Sequence, residues 1–241
     1  ALSERQHPSD LLDLLNRYLS CMTEVIEGEG GVIDKYIGDA IMALFGAPLA
    51  HGDDAQRAVR AALAMGHELV RLNRELTAQG LPAIATGIGI NTGLVVAGNM
   101  GSTHRLNYSV IGDGVNLASR IEGLTRFYGV PLIISESAAA AAPEFIYREL
   151  DRVRVKGKLE PVRIFEPLEA GILGDGELES YHEALAHYRA REWRQADDIL
   201  AGLAAAAPAS PLYALYRQRI ANFLITPPAD DWDATVVHSE K

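Results

Sequence analysis

Two segments of the sequence place glycine beside residues that could bind a metal ion or a phosphorylated ligand. In the first, Gly38 and Asp39 separate two β-rich runs, and Lys35 lies four residues before Asp39. A Gly-Asp pair in this setting predicts a hairpin turn that lifts the carboxylate clear of the sheet. An exposed carboxylate suits Mg²⁺, which prefers oxygen ligands and keeps room for water and phosphate. Taken alone, the pair is more typical of an ordinary turn.

The second segment is a sharp glycine turn at residues 112–114 that leads into a predicted helix. Asn116 and Arg120 are four residues apart in that helix, so they share one face, one turn apart. An amide and a guanidinium side by side at the start of a helix could hold a sugar and a phosphate. Without the glycine turn, a solvated helix face would be the simpler interpretation.

Two further positions become informative only in combination with these segments. Lys156 and Lys158 flank Gly157 near a strand end, which suits a phosphate but equally an exposed edge strand. Ser109 is a lone hydroxyl in a predicted strand and indicates nothing by itself. The histidines show no metal-ligand spacing.

The elements that must position these residues follow from hydrophobic periodicity. The pattern predicts a helix, a hairpin, a second helix, several strands, a third helix and three more strands. That order indicates an α+β fold, a ferredoxin-like or palm-type antiparallel sheet sandwiched by helices. The predicted helices span about 9–26, 53–76 and 115–128, and the strands lie near 32–37, 40–45, 85–91, 94–98, 107–111, 130–135, 145–156 and 162–167, with 85–91 and 94–98 linked at Thr92-Gly93.

The C-terminal quarter of the chain has a different composition. We predict a main domain over residues 1–170, a glycine-rich linker at 171–176 and a small all-α extension at 177–225. The extension resembles one tetratricopeptide unit plus an additional helix, and a single unit cannot bury its own apolar face. It should therefore dock on the main domain or on a partner. Residues 226–241 are an acidic tail that we expect to be a loosely ordered strap.

Composition excludes several classes of function. The net charge of −10 argues against a nucleic-acid-binding surface. The single cysteine, Cys21, cannot form an internal disulfide and fits a reducing, cytoplasmic compartment. No segment is long and apolar enough to span a membrane, so we expect no membrane contact within this chain. The chain begins with Ala1, and we interpret it as part of a longer protein that could be anchored through upstream segments.

Two long motifs in this order carry a specific family resemblance. The segments GGVIDKYIGD at residues 30–39 and VIGDGVNLASR at residues 110–120 closely resemble the class III adenylate and guanylate cyclases. The resemblance covers about residues 1–168. Segments 89–93 and 97–101 resemble the family's central hairpin.

The resemblance implies a role for each candidate residue. Asp39 would be the second of two metal-binding aspartates, and Lys35 would contact the adenine ring of ATP. Ser109 would occupy the other base-reading position, and Asn116 would orient the ribose. Arg120 would stabilise the transferring α-phosphate. Lys156 would face the β- and γ-phosphates.

The expected activity is that of an adenylate cyclase with two Mg²⁺ or Mn²⁺ ions in each active site. The ribose 3′-hydroxyl would attack the α-phosphorus in line, and pyrophosphate would leave. The family builds its sites at the interface of a homodimer, so a symmetric dimer would have two equivalent sites. The alternatives are a guanylate cyclase and a catalytically silent cyclase-like module that serves dimerisation or nucleotide sensing.

The sequence departs from the family pattern in two places. The family's first metal aspartate lies on a strand that would precede Ala1, and we expect it upstream in the parent protein. Ser109 replaces the usual Asp, or the Thr of a bicarbonate-responsive bacterial branch, and keeps only a hydroxyl. We therefore expect a Thr-like enzyme that uses ATP and responds to bicarbonate.

Overall fold

The computed structural model describes residues 8–102, 105–158 and 160–238 of the 241-residue chain. These residues form two compact units. The first comprises the residues up to Thr86 together with Thr92–Val115, and the second comprises Gly87–Asn91 together with the residues from Asn116 onwards. Helices and strands alternate in both, so the predicted α+β class is confirmed.

The first unit contains two long helices and two hairpins. Helices α1 and α2 each bury an apolar stripe at three- and four-residue spacing, and the two stripes pack on one another. In α1 the buried positions begin with Leu14, whereas Leu12, which the sequence pattern places inward, is exposed. The elements are α1 Pro8–Gly28, β1 Val32–Ile37, β2 Ala40–Leu44, α2 Asp54–Ala78, β4 Val96–Ser102 and β5 Arg105–Ile111.

The strand pairing of the first unit differs from the prediction. The strands predicted on either side of Thr92-Gly93, which the resemblance would join in a central hairpin, do not pair, because β4 pairs in antiparallel register with β5, from Val96 opposite Ile111. The polar, glycine-containing stretch after Gly98, which looks like a loop, continues β4 instead. Backbone ladder bonds do not depend on side-chain type, so pairing with β5 overrides the weak strand propensity of this stretch.

The second unit is built on a five-stranded sheet in the order β3-β6-β8-β7-β9. The β3–β6 and β7–β9 pairs are parallel, and the β6–β8 and β7–β8 pairs are antiparallel, so the sheet is more mixed than predicted. Parallel strands need a long connection between them, and the segment between β3 and β6 is long enough to allow their parallel pairing. Its strands are β3 Ile88–Ile90, β6 Leu132–Ser135, β7 Ile146–Val155, β8 Val162–Leu168 and β9 Thr235–His238.

Six helices in the described ranges accompany this sheet. The buried residues of all of them except α5 join those of β7 and β8 in one apolar core, in which the side chains of Ile121, Tyr128, Tyr181, Tyr213 and Ile220 are almost completely buried. They are α3 Asp113–Gly123, whose first turn belongs to the first unit, α4 Thr125–Tyr128, α5 Glu136–Ala141, α6 Glu177–Arg189, α7 Trp193–Ala206 and α8 Pro211–Ile225.

The C-terminal helices α6–α8 dock on the sheet, as expected for a helical unit that cannot cover its own apolar face. A polar network fixes the contact. The fully buried Tyr216 donates to the carbonyl of Leu150 at 2.7 Å. Tyr128 and Arg219 both donate to one oxygen of the buried Asp151, at 2.8 and 2.6 Å. A buried carboxylate needs such partners, so α8 is tied to β7 and α4 by charge as well as by apolar burial.

The acidic tail is more ordered than the sequence indicates. Residues 235–238 form β9, which extends the sheet in parallel register along β7. Before it, the Trp232 ring lies within 5.5 Å of the rings of Tyr188, Trp193 and Phe223. The expectation of a loose strap is wrong for this segment. Sequence reasoning misses it because both contacts depend on elements distant in the chain.

None of the helices in the described ranges is long and apolar enough to cross a membrane.

Gly129 provides a test of the docking of α8. It ends α4 with φ of +67°, and a Cβ atom there would lie 2.0 Å from the ring of Pro211 at the start of α8. Gly129→Ala should therefore lower the free energy of unfolding by about 2 kcal/mol or more, measured by urea denaturation. Gly171 is the matched control, because its φ is +79° but the added Cβ meets open space. Gly171→Ala should cost only about 1 kcal/mol, and equal losses would contradict the tight contact.

Candidate active site

Asp39 lies where the sequence predicts, in the turn between β1 and β2. Ile37 pairs with Ala40, so Gly38 and Asp39 form a two-residue hairpin turn. Gly38 adopts φ of +66°, which glycine reaches without a steric penalty. The Asp39 side chain is exposed at the tip. It presents carboxylate oxygens to which a cation could bind.

Lys35 and Ser109 come together although 74 residues separate them. The Lys35 ammonium donates to the Ser109 hydroxyl at 3.0 Å, which joins β1 to β5. The Lys35 side chain is half-exposed, whereas Ser109 is buried. The two residues that the resemblance assigns to the base thus form one polar group within the first unit.

Asp34 completes this polar group, and sequence reasoning misses it. Its carboxylate lies 3.1 Å from the Lys35 ammonium and accepts the Ser109 hydroxyl at 3.0 Å, both at Oδ2. Its side chain is fully buried. The available signal was an acidic residue inside the apolar run of β1, directly before Lys35.

Asn116 and Arg120 lie on α3 one turn apart, as the spacing predicts. Leu117 and Ile121 anchor the adjacent face of the helix in the core. Asn116 is exposed and Arg120 is half-buried. The Nη1 atom of Arg120 is buried and has no hydrogen-bond partner within ranges 8–102, 105–158 and 160–238. A guanidinium with an unused buried donor fits an anionic ligand.

Arg120 also meets the turn that carries Lys156. Gly157, with φ of +74°, lies against the guanidinium, since a Cβ atom there would be 3.3 Å from Nη2 of Arg120. Lys156 is the preceding residue and is exposed just after β7 ends. The second unit therefore brings Asn116, Arg120 and the Lys156 turn together. Lys35, Ser109 and Asp39 belong to the first unit.

The metal-binding capacity of these residues is limited to Asp39. No group of three or more His, Cys, Asp or Glu side chains in the described part of the chain could hold a metal ion by itself. Mg²⁺ commonly binds through one or two carboxylates and completes its shell with water and substrate phosphates. An exposed carboxylate on a hairpin tip fits that pattern.

Comparisons with known proteins give the same family along most of the chain. Residues 1–168 match the family model described as the adenylate and guanylate cyclase catalytic domain. The chain is 47% identical over 176 residues to an adenylate cyclase of Anabaena cylindrica, covering 69% of this chain and 34% of that protein. It thus spans about a third of that relative.

Two solved structures are similar as well. The adenylyl cyclase CyaB from P. aeruginosa aligns with a TM-score of 0.66 at 35% identity, covering 72% of this chain and 90% of that one. The guanylyl cyclase Cya2 aligns with a TM-score of 0.65 at 39% identity, covering 71% and 88%. With the family model matching more than half of its residues, the chain belongs to the adenylate and guanylate cyclase catalytic domain family.

Proposed function

We propose that the protein is an adenylate cyclase that converts ATP to 3′,5′-cyclic AMP and pyrophosphate. The observation that carries the proposal is the 3.0 Å hydrogen bond between Lys35 and Ser109, which assembles a base-reading pair of the type expected for adenine. The similarity to the Anabaena adenylate cyclase supports it. An ammonium group donates to the ring nitrogen N1 of adenine, which is an acceptor, whereas N1 of guanine carries a proton.

The roles of Asn116 and Arg120 follow from where charge develops in the reaction. The ribose 3′-oxygen forms a bond to the α-phosphorus, the bond from that phosphorus to the bridging oxygen breaks, and pyrophosphate leaves. Asn116 would hold the ribose so that the hydroxyl faces the phosphorus. Arg120 would donate to the α-phosphate oxygens, whose charge is redistributed in the transition state. Contacts that strengthen there raise the turnover number.

Lys156 and Asp39 would bind the rest of the triphosphate, Lys156 directly and Asp39 through metal ions. Lys156 would pair with the β- and γ-phosphates and with the charge that pyrophosphate carries away. Asp39, together with the upstream aspartate expected in the parent protein, would hold two Mg²⁺ or Mn²⁺ ions per site, with substrate phosphates as further ligands. When bound, such ions activate the 3′-hydroxyl and neutralise the triphosphate.

We place the active sites at the interface of a homodimer. The strands β4 and β5 support this, because several of their large apolar side chains are exposed although Val110 is buried. A concentration of exposed apolar side chains on one hairpin is typical of protein interfaces. The side chains are Val96, Leu106, Tyr108 and Ile111, with Leu94 just before β4. ATP as substrate fits a cytoplasmic location.

A guanylate cyclase is the second candidate. Its support is the similarity to the guanylyl cyclase Cya2. Turnover of ATP and GTP by the same preparation decides between the two. A catalytically silent cyclase-like module would turn over neither nucleotide.

Bicarbonate is a proposed activator, because Ser109 stands where the family pattern usually has Asp and the bicarbonate-responsive branch has Thr. The Lys35 ammonium, 3.0 Å from that hydroxyl, would attract a small anion. We expect the rate of cyclic AMP formation to rise when bicarbonate is added at fixed pH. Chloride at equal ionic strength is the control. A flat rate across bicarbonate concentrations would remove this proposal and leave the adenylate cyclase activity untouched.

Arg120→Ala should lower kcat roughly 100-fold or more, because it removes a donor to the transition-state charge. Steady-state kinetics with ATP measure the change. Arg126→Ala is the matched control, since Arg126 is exposed six residues further along, in α4, and has no proposed contact with the nucleotide. A change confined to KM in Arg120→Ala would show that the residue only helps to bind substrate.

Mixing two inactive variants tests the shared site. Asp39→Asn and Arg120→Ala should each lose activity, because each removes one half of the site. If the halves come from different protomers, a mixed dimer has one intact site. An equal mixture, after exchange of subunits, should then recover about a quarter of the wild-type rate. No recovery, despite mixed dimers shown by native mass spectrometry, would place both residues in the same protomer's site.

A further inference from the structure

Asp34 is a buried carboxylate in a strand whose neighbouring residues are exposed. Its side chain has no solvent exposure, although Val32 and Tyr36 on the same strand are 43% and 49% exposed. Burying an ionised carboxylate is costly unless it is paired and hydrogen-bonded. Only one of its oxygens, Oδ2, is paired, and Oδ1 is buried without a hydrogen-bond partner in the described ranges. A purely structural role does not account for this costly arrangement.

A β-bulge gives Asp34 its position. The register of β1 with β2 shifts between Ile33, opposite Ala43, and Lys35, opposite Met42, so Asp34 is the additional residue. Successive side chains of a regular strand point to opposite faces. The bulge relieves this constraint, and both Asp34 and Lys35 reach Ser109. The backbone irregularity thus serves the polar group.

The contacts determine which way the Ser109 hydroxyl points. A carboxylate only accepts hydrogen bonds, so the single hydroxyl proton of Ser109 is directed at Asp34. One lone pair of Oγ accepts from Lys35. The remaining lone pair of Ser109 Oγ can accept one further hydrogen bond, from a ligand, but cannot donate one. Lys35, after its contacts with Ser109 and Asp34, keeps one N–H donor.

The group therefore offers a ligand one acceptor next to one donor. The Watson–Crick edge of adenine presents the complement, an exocyclic amine that donates and a ring nitrogen N1 that accepts. Guanine presents the reverse, with O6 accepting and N1–H donating. If guanine occupied the same place, its O6 acceptor would face the Ser109 acceptor. Its N1–H donor would face the Lys35 donor.

We propose that Asp34 is a positioning residue that sets the preference for ATP over GTP by holding the proton of the Ser109 hydroxyl away from the base. This inference rests on the proposed function, since it concerns the nucleotide that the same site accepts. It assigns the preference to a residue that does not itself touch the base. Without Asp34, the hydroxyl can rotate and donate to O6 of guanine.

The test is the ratio of kcat/KM for ATP to that for GTP, in the full-length protein. Asp34→Val keeps a strand-compatible side chain of similar volume and removes the acceptor. The ratio should fall about tenfold, the scale of one mismatched buried hydrogen bond. Asp34→Asn retains an acceptor oxygen, so its ratio should stay close to that of the wild type. An unchanged ratio in Asp34→Val would overturn the inference.

Two controls separate positioning from loss of stability. Asp54 is another largely buried carboxylate of the first unit, bonded to the His51 amide and to Arg57. Asp54→Val should lower the unfolding temperature without altering the nucleotide ratio. In a Ser109→Ala background, Asp34→Val should have no further effect on the ratio. An undiminished effect there would mean that Asp34 does not act through the hydroxyl, which refutes the proposal.

A binding measurement keeps this test independent of turnover. ATP and GTP can each be titrated against a bound fluorescent nucleotide, and the ratio of their dissociation constants should shift with Asp34→Val in the same direction. If the wild type converts neither nucleotide, the proposed function fails, but the ratio of dissociation constants in Asp34→Val still tests the role of Asp34. If the wild type makes cyclic AMP and Asp34→Val leaves that ratio unchanged, only the present inference fails.

Discussion

The buried charge of Asp34 constrains how the two hairpins of the first unit meet. A carboxylate removed from water must find its partners within the protein, and the partners here are an ammonium from the same strand and a hydroxyl from β5. The hairpins β1–β2 and β4–β5 belong to separate two-stranded sheets. Their backbones share no ladder, so this polar group supplies a specific link between them. The residues that would meet a base are thereby fixed by electrostatics and hydrogen bonding together.

In the second unit, apolar packing performs the corresponding task. The helix that carries Asn116 and Arg120 contributes Leu117 and Ile121 to the core that also contains Tyr213 and Tyr216 of α8. The C-terminal helices therefore help to hold the helix of the proposed phosphate-binding residues. Leaving α6–α8 out would expose those tyrosines and would leave the Asp151 carboxylate without Arg219. The extension is part of the folding unit of the catalytic region, and its likeness to a tetratricopeptide unit stays a prediction.

Local patterns were enough to predict the long helices, the β1–β2 hairpin and the exposed Asp39, because a glycine turn and a 3.6-residue period are properties of short segments. They missed the short helix α5 and the break between α3 and α4. The same patterns failed for β4, whose pairing with β5 depends on a distant strand, and for β9, which needs the free edge of β7. The sequence did not identify Asp34 as a site residue, for a third reason. Strict alternation would point its side chain away from that of Lys35, and a bulge leaves no clear mark in a single sequence. Family resemblance supplied the roles of Lys35, Ser109, Asn116, Arg120 and Lys156, which residue spacing alone leaves open.

The proposed substrate is a tetra-anionic nucleotide, whereas the chain itself has a net charge of −10. The negative net charge does not prevent binding of an anion, because salt screens exposed charges. At physiological ionic strength, charges more than about 8 Å from the nucleotide repel it only weakly. The charges close to the proposed phosphate site matter most. There, Arg120 has a buried N–H group with no hydrogen-bond partner among the described residues, and it lies beside the turn of Lys156 and Lys158. Its donor geometry is already organised before the ligand arrives, so little reorganisation accompanies binding. Long-range repulsion would therefore slow encounter with the nucleotide mainly at low ionic strength. Short-range complementarity would decide how the phosphates are held at any ionic strength.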